Sequence, residues 1–369
     1  MTLAAAAMLR LDPRYGRLSR SKRTNGIYAE VRTITERGPF KYRVSKKVLR
    51  EAEQLSGSDL VNYINKAQKL FTAKLSPRFA NLPRDIKRRL MGSKYVALPA
   101  KHRVNEKTHN DIDNSTIPKS FDARTNWPKC ASLRTVSDQS ACGSGWAVAA
   151  VGAIMDRICI ASEGKQQVIL SADDILSCCT ECGYGCEGGD TYKAWYYWVT
   201  NGIVTGSNYT TKSGCKPYPY PPCEHYIDAG RYKKCSKELY PTNICEHKCQ
   251  DNYTISYDDD KHYGKYAYDL VGDVPFFQQE IMNYGPVEVI FDVYEDFAHY
   301  SSGIYKHMAG EYVGVHAVKM LGWGTENGVD YWICANSWNS DWGENGFFRI
   351  LRGENECGIE SNVVAGKPK

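Results

Sequence analysis

The cysteines of this chain limit its possible folds more than any other feature, because all 14 of them lie between Cys130 and Cys357. Their number is even, and they cluster most densely in residues 178–186 and 215–249. This pattern is typical of a disulfide framework formed in an oxidising compartment. The first 116 residues contain neither cysteine nor tryptophan. The sequence therefore predicts a disulfide-bonded domain that follows a segment of a different kind.

The balance of charge changes at the same place as the cysteine content. The chain has 47 Lys and Arg residues and 42 Asp and Glu residues, of which residues 1–116 hold 25 and 10, a balance of +15. Residues 117–369 hold the remaining 22 basic and 32 acidic residues, a balance of −10. Unlike charges favour association of the two parts. Few aromatic residues accompany the basic ones in residues 1–116, so nucleic-acid binding is not predicted.

The overall composition is that of a globular protein, with 42% hydrophobic and 24% charged residues. No run approaches the ~18 consecutive apolar residues that a membrane span needs. Three N-x-S/T sequons, at Asn114, Asn208 and Asn252, fit passage through the secretory route. Residues 2–9 are too short an apolar run to be a clear signal peptide. We predict a secreted or lysosomal/endosomal protein, and we expect that the true start of the chain is missing or misassigned.

A metal site is the alternative explanation for the cysteines. The nearest approach to a ligand cluster is formed by Cys245, His247 and Cys249. Their spacing matches no paired C-x-x-C framework of the kind that binds zinc. We therefore predict no metal and no cofactor.

Hydrophobic periodicity divides the chain into a helical half and a strand-rich half. Apolar residues recur at three- and four-residue spacing between Leu60 and Leu70, which predicts an amphipathic helix that starts near Ser58 or Asp59. Residues 100–116 are polar without periodicity, which favours an exposed linker. Together the two halves predict an α+β fold, with a cleft that can hold ligands. Further helices are predicted at residues 84–89, 145–160 and 192–199, and strands at residues 287–293, 316–321, 331–335 and 346–351.

Three segments carry the strongest functional signal: residues 138–146 (DQSACGSGW), residues 315–324 (VHAVKMLGWG) and residues 331–343 (YWICANSWNSDWG). Together they resemble the papain-like cysteine peptidases and, within them, cathepsin B. Residues 117–124 (IPKSFDAR) are similar to the mature N-terminus of that family, and residues 60–66 (LVNYINK) resemble its propeptide. The resemblance continues to the end of the chain.

This resemblance implies a domain organisation and a fold. Residues 1–54 form a basic N-terminal segment outside the match, residues 55–116 a cathepsin B-type propeptide and linker, and residues 117–369 a papain-like peptidase domain. The implied fold is α+β and has two subdomains, one helical and one of antiparallel strands, with an N-terminal helical propeptide. The implied partners are peptide or protein ligands in the cleft, the chain's own propeptide, and protein inhibitors of cysteine peptidases.

The resemblance also assigns catalytic roles. His316 corresponds to the base, Asn336 to the amide that orients it, and Gln139 to the side chain of the oxyanion hole. The family places its nucleophilic cysteine at a helix N-terminus, where the dipole and an imidazolium lower the thiol pKa. Here that position, directly before Trp146, is Gly145. Loss of the nucleophile from such a centre costs about 10⁶ in kcat.

Two interpretations of Gly145 remain open. In the first, the chain is a pseudopeptidase that binds peptides or inhibitors without cutting them. In the second, the glycine is a sequence error or an altered codon, and the chain is an active lysosomal or secreted cysteine endopeptidase. Neither neighbour is expected to substitute, because Ser144 precedes the helix and Cys142 is at a disulfide position of the family.

Residues 215–249 resemble the occluding loop that distinguishes cathepsin B from its relatives. In the family, two adjacent loop histidines accept the C-terminal carboxylate of a substrate, whereas here the pair is His225 and Tyr226. The resemblance implies Asp138 as the salt-bridge partner of His225, with Arg231 nearby. In the alternative interpretation, His225 and Tyr226 only decorate a surface loop.

Ligand-binding positions and disulfides follow from the same resemblance. Gly188 and Gly189 correspond to the backbone wall that pairs with an extended ligand, and Trp338 to a further ligand contact. Asn362 replaces the acidic residue with which cathepsin B accepts arginine at its second subsite, so that preference is not carried over. The implied bridges are Cys130–Cys159, Cys142–Cys186, Cys178–Cys245, Cys179–Cys182, Cys215–Cys249 and Cys223–Cys235, which leave Cys334 and Cys357 as thiols.

Overall fold

The computed structural model describes residues 51–95, 114–226 and 231–369. All of the described residues belong to one compact unit. None of the helices within these described ranges is both long enough and apolar enough to cross a membrane. The predicted linker lies largely outside the described residues, except for a short 3₁₀ turn at Asn114–Thr116.

The N-terminal part, residues 51–95, is called the prosegment below. Its first described full helix, α1, begins one residue before the predicted start and buries Leu60 and Ile64, two of the periodic apolar residues. The basic stretch predicted as a helix is part of α3. The elements are α1 (Gly57–Ala67), β1 (Phe71–Ala73), α2 (Pro77–Ala80), α3 (Arg84–Met91) and β2 (Gly92–Ser93).

The helical half is built around one long helix that is buried on nearly every face, as its continuous apolar pattern predicted. Its buried Asp156 accepts a 2.7 Å hydrogen bond from Lys319 Nζ and so ties the helix to the sheet. Side-chain caps begin the three shorter helices, with Ser171 Oγ accepting from Asp174 N in one of them. The helices are α4 (Ala123–Asn126), α5 (Gly145–Ala161), α6 (Ala172–Cys178) and α7 (Thr191–Thr200).

The strand-rich half forms a sheet with the path order β1-β8-β11-β10-β9-β7-β12-β6, on which β2 and β3 add to β9. Its pairings are antiparallel except that of β11 with β8, which is parallel and departs from the expected antiparallel arrangement. The remaining elements are β3 (Phe121–Asp122), β4 (Cys223–Glu224), β5 (Lys233–Lys234), β6 (Gly264–Leu270), α8 (Val274–Tyr284), β7 (Val287–Tyr294), α9 (Glu295–Ala298), β8 (Tyr300–Tyr305), β9 (Tyr312–Glu326), β10 (Val329–Ala335), β11 (Phe347–Leu351) and β12 (Val363–Pro368).

Strand β9 positions the site. It lies between β7 and β10, packs against α5, and pairs near its start with the prosegment strand β2, so that Gly92 stands opposite His316. The four predicted strands are all present as parts of β7, β9, β10 and β11. The chain therefore has an α+β, papain-like fold, with the cleft between its helical and strand-rich halves.

Six disulfides fix the domain, and they are the six pairs that the resemblance implies. Cys215–Cys249 closes the ends of the loop that resembles an occluding loop. Cys334 is buried and free, and Cys357 is partly buried and free. The other five bridges are Cys130–Cys159, Cys142–Cys186, Cys178–Cys245, Cys179–Cys182 and Cys223–Cys235.

Candidate active site

Gly145 is the first residue of α5 and is buried. Neither of its neighbours offers a nucleophile in its place. The Ser144 hydroxyl lies 2.6 Å from the Tyr218 hydroxyl, with which it shares a hydrogen bond. The sulfur of Cys142 is bonded to Cys186. At the start of α5, residue 145 therefore has no side chain, the Ser144 hydroxyl is hydrogen-bonded, and the Cys142 sulfur is in a disulfide.

His316 and Asn336 are held together as a base and its orienting amide would be. The distance from His316 Nε2 to Asn336 Oδ1 is 2.8 Å, and the imidazole stacks on the Trp338 indole with ring centres 5.2 Å apart. The other ring nitrogen, Nδ1, lies 3.1 Å from the carbonyl oxygen of Met91 in the prosegment. Both partners are acceptors, and a neutral imidazole can donate to only one of them.

The protonation of His316 is set by two opposing effects. Burial lowers its pKa, because a low-dielectric interior disfavours the charged ring, while the hydrogen bonds to Asn336 and Met91 act in the opposite direction. In an active thiol enzyme the acceptor on this side of the ring is the thiolate. Here the Met91 carbonyl oxygen of the chain itself takes that place.

The imidazole of His316 has occupied the space that a side chain at position 145 needs. A Cβ atom added to Gly145 would lie 2.8 Å from His316 Cε1 and 2.9 Å from Nδ1. Real Cβ atoms essentially never approach so closely, so the ring must shift before any larger residue fits. The His316 ring can therefore take this position only because residue 145 has no Cβ atom.

Gln139 is buried and points its amide into the cleft. Its Nε2 donates to the carbonyl oxygens of Leu90, at 2.7 Å, and Cys142, at 2.8 Å. Its Oε1 accepts a 2.6 Å hydrogen bond from Ser337 Oγ, which fixes the orientation of the amide. The prosegment carbonyl of Leu90 therefore accepts from the side chain that the resemblance assigns to an oxyanion hole.

The prosegment crosses the centre through its main chain. Gly189 N donates to Gly92 O at 2.9 Å. Gly92 has φ +72, and a Cβ there would overlap the carbonyl oxygen of Gly143. A Cβ on Gly188 would lie 2.6 Å from Gly92 O. Glycines on both sides thus allow this approach, and Gly188 and Gly189, predicted as a wall for an extended ligand, lie here against the prosegment main chain.

Charged pairs attach the basic prosegment to the acidic domain. Lys87 Nζ lies 2.7 Å from Glu295 Oε1, and both side chains are only 10% exposed. Arg89 pairs with Glu187 at the surface. Because the first pair is largely desolvated, breaking it would leave a nearly buried charge without its partner.

The loop residues depart from the expected arrangement. Asp138 is not a hydrogen-bond partner of the His225 side chain: its carboxylate accepts from Ser140 N, Cys223 N and Asn339 Nδ2. The reason is that the Arg78 guanidinium of the prosegment lies next to the His225 ring, 2.6 Å from Nε2. His225 is nevertheless not a surface residue of the loop, since it is only 1% exposed.

The polar groups of Tyr226 and Arg231 form their hydrogen bonds with other residues and not with the His225 ring. The Tyr226 hydroxyl donates to Tyr300 O at 3.2 Å, and the side chain is buried, so it is unable to reach a ligand in this form. The Arg231 guanidinium lies 3.4 Å from Ser340 Oγ and has no bond to His225 among the described contacts.

Trp338 and Asn362 complete the set of predicted positions. Trp338 is fully buried in this form, because the prosegment residue Phe79 covers it with ring centres 4.7 Å apart. Asn362 is partly exposed just before β12, and its carbonyl oxygen accepts from Ile290 N. Sequence reasoning missed Phe79, Leu90 and Met91, because no motif marks them as contacts of the centre.

The cysteines near His247 do not supply thiolates. Ligand atoms of Cys178, Cys245 and His247 lie within 4.8 Å of one another. However, Cys178 and Cys245 are bonded to each other, and Cys249 is bonded to Cys215. A sulfur in a disulfide is not the thiolate that zinc requires.

The sequence of this chain is similar to those of known proteins over most of its length. A family model described as papain family cysteine protease matches residues 117–367. The chain is 53% identical over 333 residues to cathepsin B-like cysteine proteinase 6 of Caenorhabditis elegans, covering 89% of this chain and 87% of that one. It is 48% identical over 310 residues to a cathepsin B-like cysteine proteinase of Schistosoma japonicum, covering 84% and 90%.

A solved structure of a proform is also similar. Procathepsin B S9 from Trypanosoma congolense superimposes with a TM-score of 0.72 at 34% identity, and the match covers 85% of this chain and 98% of that one. The similarity extends over nearly the whole of that proform.

Proposed function

Because this chain belongs to the papain family of cysteine proteases and is cathepsin B-like over most of its length, we propose that it is a pseudopeptidase. In this function, its cleft binds peptides or protein inhibitors of cysteine peptidases and does not cleave them. One observation carries the proposal. Gly145 stands at the start of α5, and the His316 ring lies only 2.8 Å from the position that the Cβ atom of a nucleophile would take.

The chemistry of the centre supports the absence of turnover. Covalent catalysis needs an atom that attacks the carbonyl carbon, and neither Ser144 nor Cys142 presents one. His316 and Gln139 retain a base and a hydrogen-bond donor. Without a nucleophile these groups still leave kcat about 10⁶ below that of a complete triad.

The same cleft retains what binding requires. Gly189 N donates to a main-chain carbonyl, and the neighbouring Gly188 leaves room for the backbone. These contacts form with the chain's own prosegment at Gly92, and any extended peptide offers the same carbonyl group. The cleft therefore recognises peptide backbone independently of the missing thiol.

The proposed location is secreted or lysosomal/endosomal. Six disulfides fit an oxidising compartment. The sequons at Asn208 and Asn252 fit glycosylation, since both asparagines are exposed. Detection of a glycan at either asparagine by mass spectrometry of protein from its source would test this location.

Three forms of the full chain test the proposal: wild type, Gly145→Cys and Gly145→Ala. Each is freed of its prosegment and assayed on an internally quenched peptide. We expect the cysteine variant to cleave the peptide about 10⁵-fold or more faster than the other two. Release of Met91 from His316 Nδ1 frees the ring to move away from the new Cβ. The alanine variant adds the same Cβ without a thiol, so it controls for that movement.

Turnover by wild type would contradict the proposal if two conditions hold. Its mass must show glycine at position 145, and a thiol-directed epoxide must abolish the activity. A folded Gly145→Cys protein as inert as Gly145→Ala would show that the cleft has lost more than its nucleophile. Inactivity of wild type alone would then no longer be attributable to Gly145.

A further inference from the structure

The prosegment residue Arg78 is inserted into a pocket of the domain next to the loop. Its Nη2 donates to Ser140 O at 2.8 Å, and its Nη1 lies 2.6 Å from His225 Nε2. Since a guanidinium can only donate, His225 Nε2 accepts, and the histidine is neutral with its proton on Nδ1. The carbonyl and the imidazole thus form two sides of a receptor for a planar cation.

Two carboxylates supply the charge of this pocket. Asp138 and Asp341 both stabilise the Arg78 cation electrostatically, although burial lowers its pKa to about 10. Burial likewise raises the pKa of Asp138, and the charge of Arg78 opposes that rise. Asp138 and Asp341 are fixed in place by the loop backbone, since they accept from Cys223 N and His225 N respectively.

The polar atoms of the pocket are not all paired. Among the described residues, Asp341 Oδ1 and His225 Nδ1 are buried without a hydrogen-bond partner. His225 is only 1% exposed, so its free N–H is an unpaired donor that has been removed from solvent. A cavity of about 430 Å³ lies against Arg78 and His225 and is lined also by Glu224 and Lys234. The pocket therefore has hydrogen-bonding capacity beyond what Arg78 uses, and space beside it.

The pocket does not fit a carboxylate. The resemblance implies two histidines that bind a C-terminal carboxylate, but the second of them is Tyr226, whose hydroxyl points to Tyr300 O. The first, His225, accepts from the Arg78 guanidinium and is neutral while Arg78 is bound. Asp138 and Asp341, which stabilise the Arg78 cation, would repel an incoming carboxylate and attract a cation.

We propose that the Asp138–Asp341 pocket is a guanidinium site that takes an arginine side chain of a bound peptide once the prosegment has left. Arg78 occupies this site in the proform. The inference rests on the proposed function, since it names the ligand class of the same cleft. The pocket is close to His316, because Trp338 stacks on both His225 and His316, with ring centres 5.9 and 5.2 Å apart.

The first test probes the pocket without a peptide. Ethylguanidinium is titrated calorimetrically into the full chain carrying Arg78→Ala, into wild type, and into Arg78→Ala/Asp138→Asn. We expect saturable binding to Arg78→Ala, none to wild type because its own arginine fills the site, and about 10-fold or more weaker binding to the double variant. Acetate is the control of opposite charge and is expected not to bind.

The second test uses the wild-type chain, so it does not depend on a variant that folds. Two peptides of one sequence, with arginine or with the uncharged isostere citrulline at one position, are added while amide exchange is measured by mass spectrometry. A ligand of the open cleft raises the open population of the prosegment. At a concentration about 10 times its Kd for the open cleft, the arginine peptide is expected to speed amide exchange at Ser76 and Ala80 about 10-fold. The citrulline peptide is expected to speed it much less.

The outcomes separate this inference from the proposed function. Equal acceleration by both peptides, or ethylguanidinium binding that Asp138→Asn leaves unchanged, would overturn the guanidinium site while peptide binding stands. Acceleration by neither peptide would overturn peptide binding in the cleft and the arginine ligand with it. Turnover by the glycine-bearing chain would end the pseudopeptidase proposal and leave the ethylguanidinium result unaffected.

Discussion

Two stretches of the prosegment cover the cleft in different ways. Residues 90–92 cross the centre through main-chain groups: Leu90 O accepts from Gln139, Met91 O faces His316, and Gly92 O accepts from Gly189. Residues 76–79 cover the neighbouring loop pocket mainly through side chains, with Arg78 in the charged pocket and Phe79 on Trp338.

This difference separates two kinds of recognition. Main-chain contacts tolerate many sequences, but they require close approach, so the crossing depends on the absence of a side chain at Gly92. Side-chain contacts depend on charge and shape, so residues 76–79 confer selectivity. The largest effects of substitution are therefore expected from opposite changes: loss of a large side chain in one stretch and gain of a methyl group in the other.

Phe79→Ala is expected to have the largest effect. Phe79 is 1% exposed and packs on Trp338 and His225 with ring centres 4.7 and 5.7 Å away. Removing a buried phenylalanine costs about 3–5 kcal/mol through lost burial and the cavity left behind. Urea unfolding of the full chain measures the loss, and Phe79→Leu, which keeps most of the apolar volume, is expected to lose less than about 1.5 kcal/mol. Equal losses would mean that the ring contacts, and not the buried apolar volume, account for the stability that Phe79 provides.

Gly92→Ala is expected to destabilise the crossing by about 2–4 kcal/mol. The left-handed conformation at φ +72 costs about 1–2 kcal/mol for any residue with a Cβ, and the overlap with Gly143 O adds about 1–2 kcal/mol. Gly57→Ala is the matched control, since Gly57 has φ +54 and nothing within 4 Å of an added Cβ. Gly57→Ala is expected to lose only the stability that the left-handed conformation costs, about 1–2 kcal/mol. Thermal unfolding of both variants measures this difference. Equal unfolding midpoints would contradict a close approach of Gly92 to Gly143.

Acid is expected to weaken the side-chain stretch. His299 Nδ1 accepts from Ser76 N, and burial, together with nearby Lys87, lowers the pKa of this histidine from 6.5 to about 4. Between these values the unfolded chain binds a proton that the folded chain does not, so stability falls as pH falls from about 7 to about 4. At pH 5 the loss from this group is about 2 kcal/mol.

His299→Asn provides the control for this pH dependence, since its Oδ1 can still accept from Ser76 N but does not titrate. Urea unfolding at pH 7 and pH 5 is expected to show a smaller loss in the variant than in wild type. At the main-chain crossing burial also lowers the pKa of His316, so the sign is the same, but a protonated ring there can donate to both Met91 O and Asn336 Oδ1, which reduces the loss. Amide protection at pH 5 should therefore fall more at Ser76 than at Gly189. The opposite order would contradict the distinction between the two stretches.

Sequence reasoning predicted most of the fold because the fold depends on local patterns. The all-round apolar pattern gave α5, the three- and four-residue spacing gave α1, and the strand segments are parts of β7, β9, β10 and β11. The parallel pairing of β11 with β8 escaped prediction, since strand direction in a sheet depends on long connections and not on the composition of each strand.

For the candidate catalytic residues, the sequence indicated their positions but not all of their contacts. Motifs located His316, Asn336 and Gln139, and the structure holds the first two 2.8 Å apart. The expected Asp138–His225 pairing failed because Arg78, 147 residues before His225 in the chain, lies beside the imidazole. No sequence pattern reveals a competitor from so distant a segment.

The sequence by itself determined the disulfide-bonded domain, the change of charge near residue 116 and the glycine where a nucleophile is needed, since these depend only on which residues are present. The tertiary structure alone decided what occupies the space beside Gly145. Met91 O reaches His316 across 225 residues of chain, and Arg78 reaches Ser140 across 62. Contacts of this kind arise when close packing brings distant segments into one low-dielectric cleft, where each buried polar group must find a partner or remain unpaired.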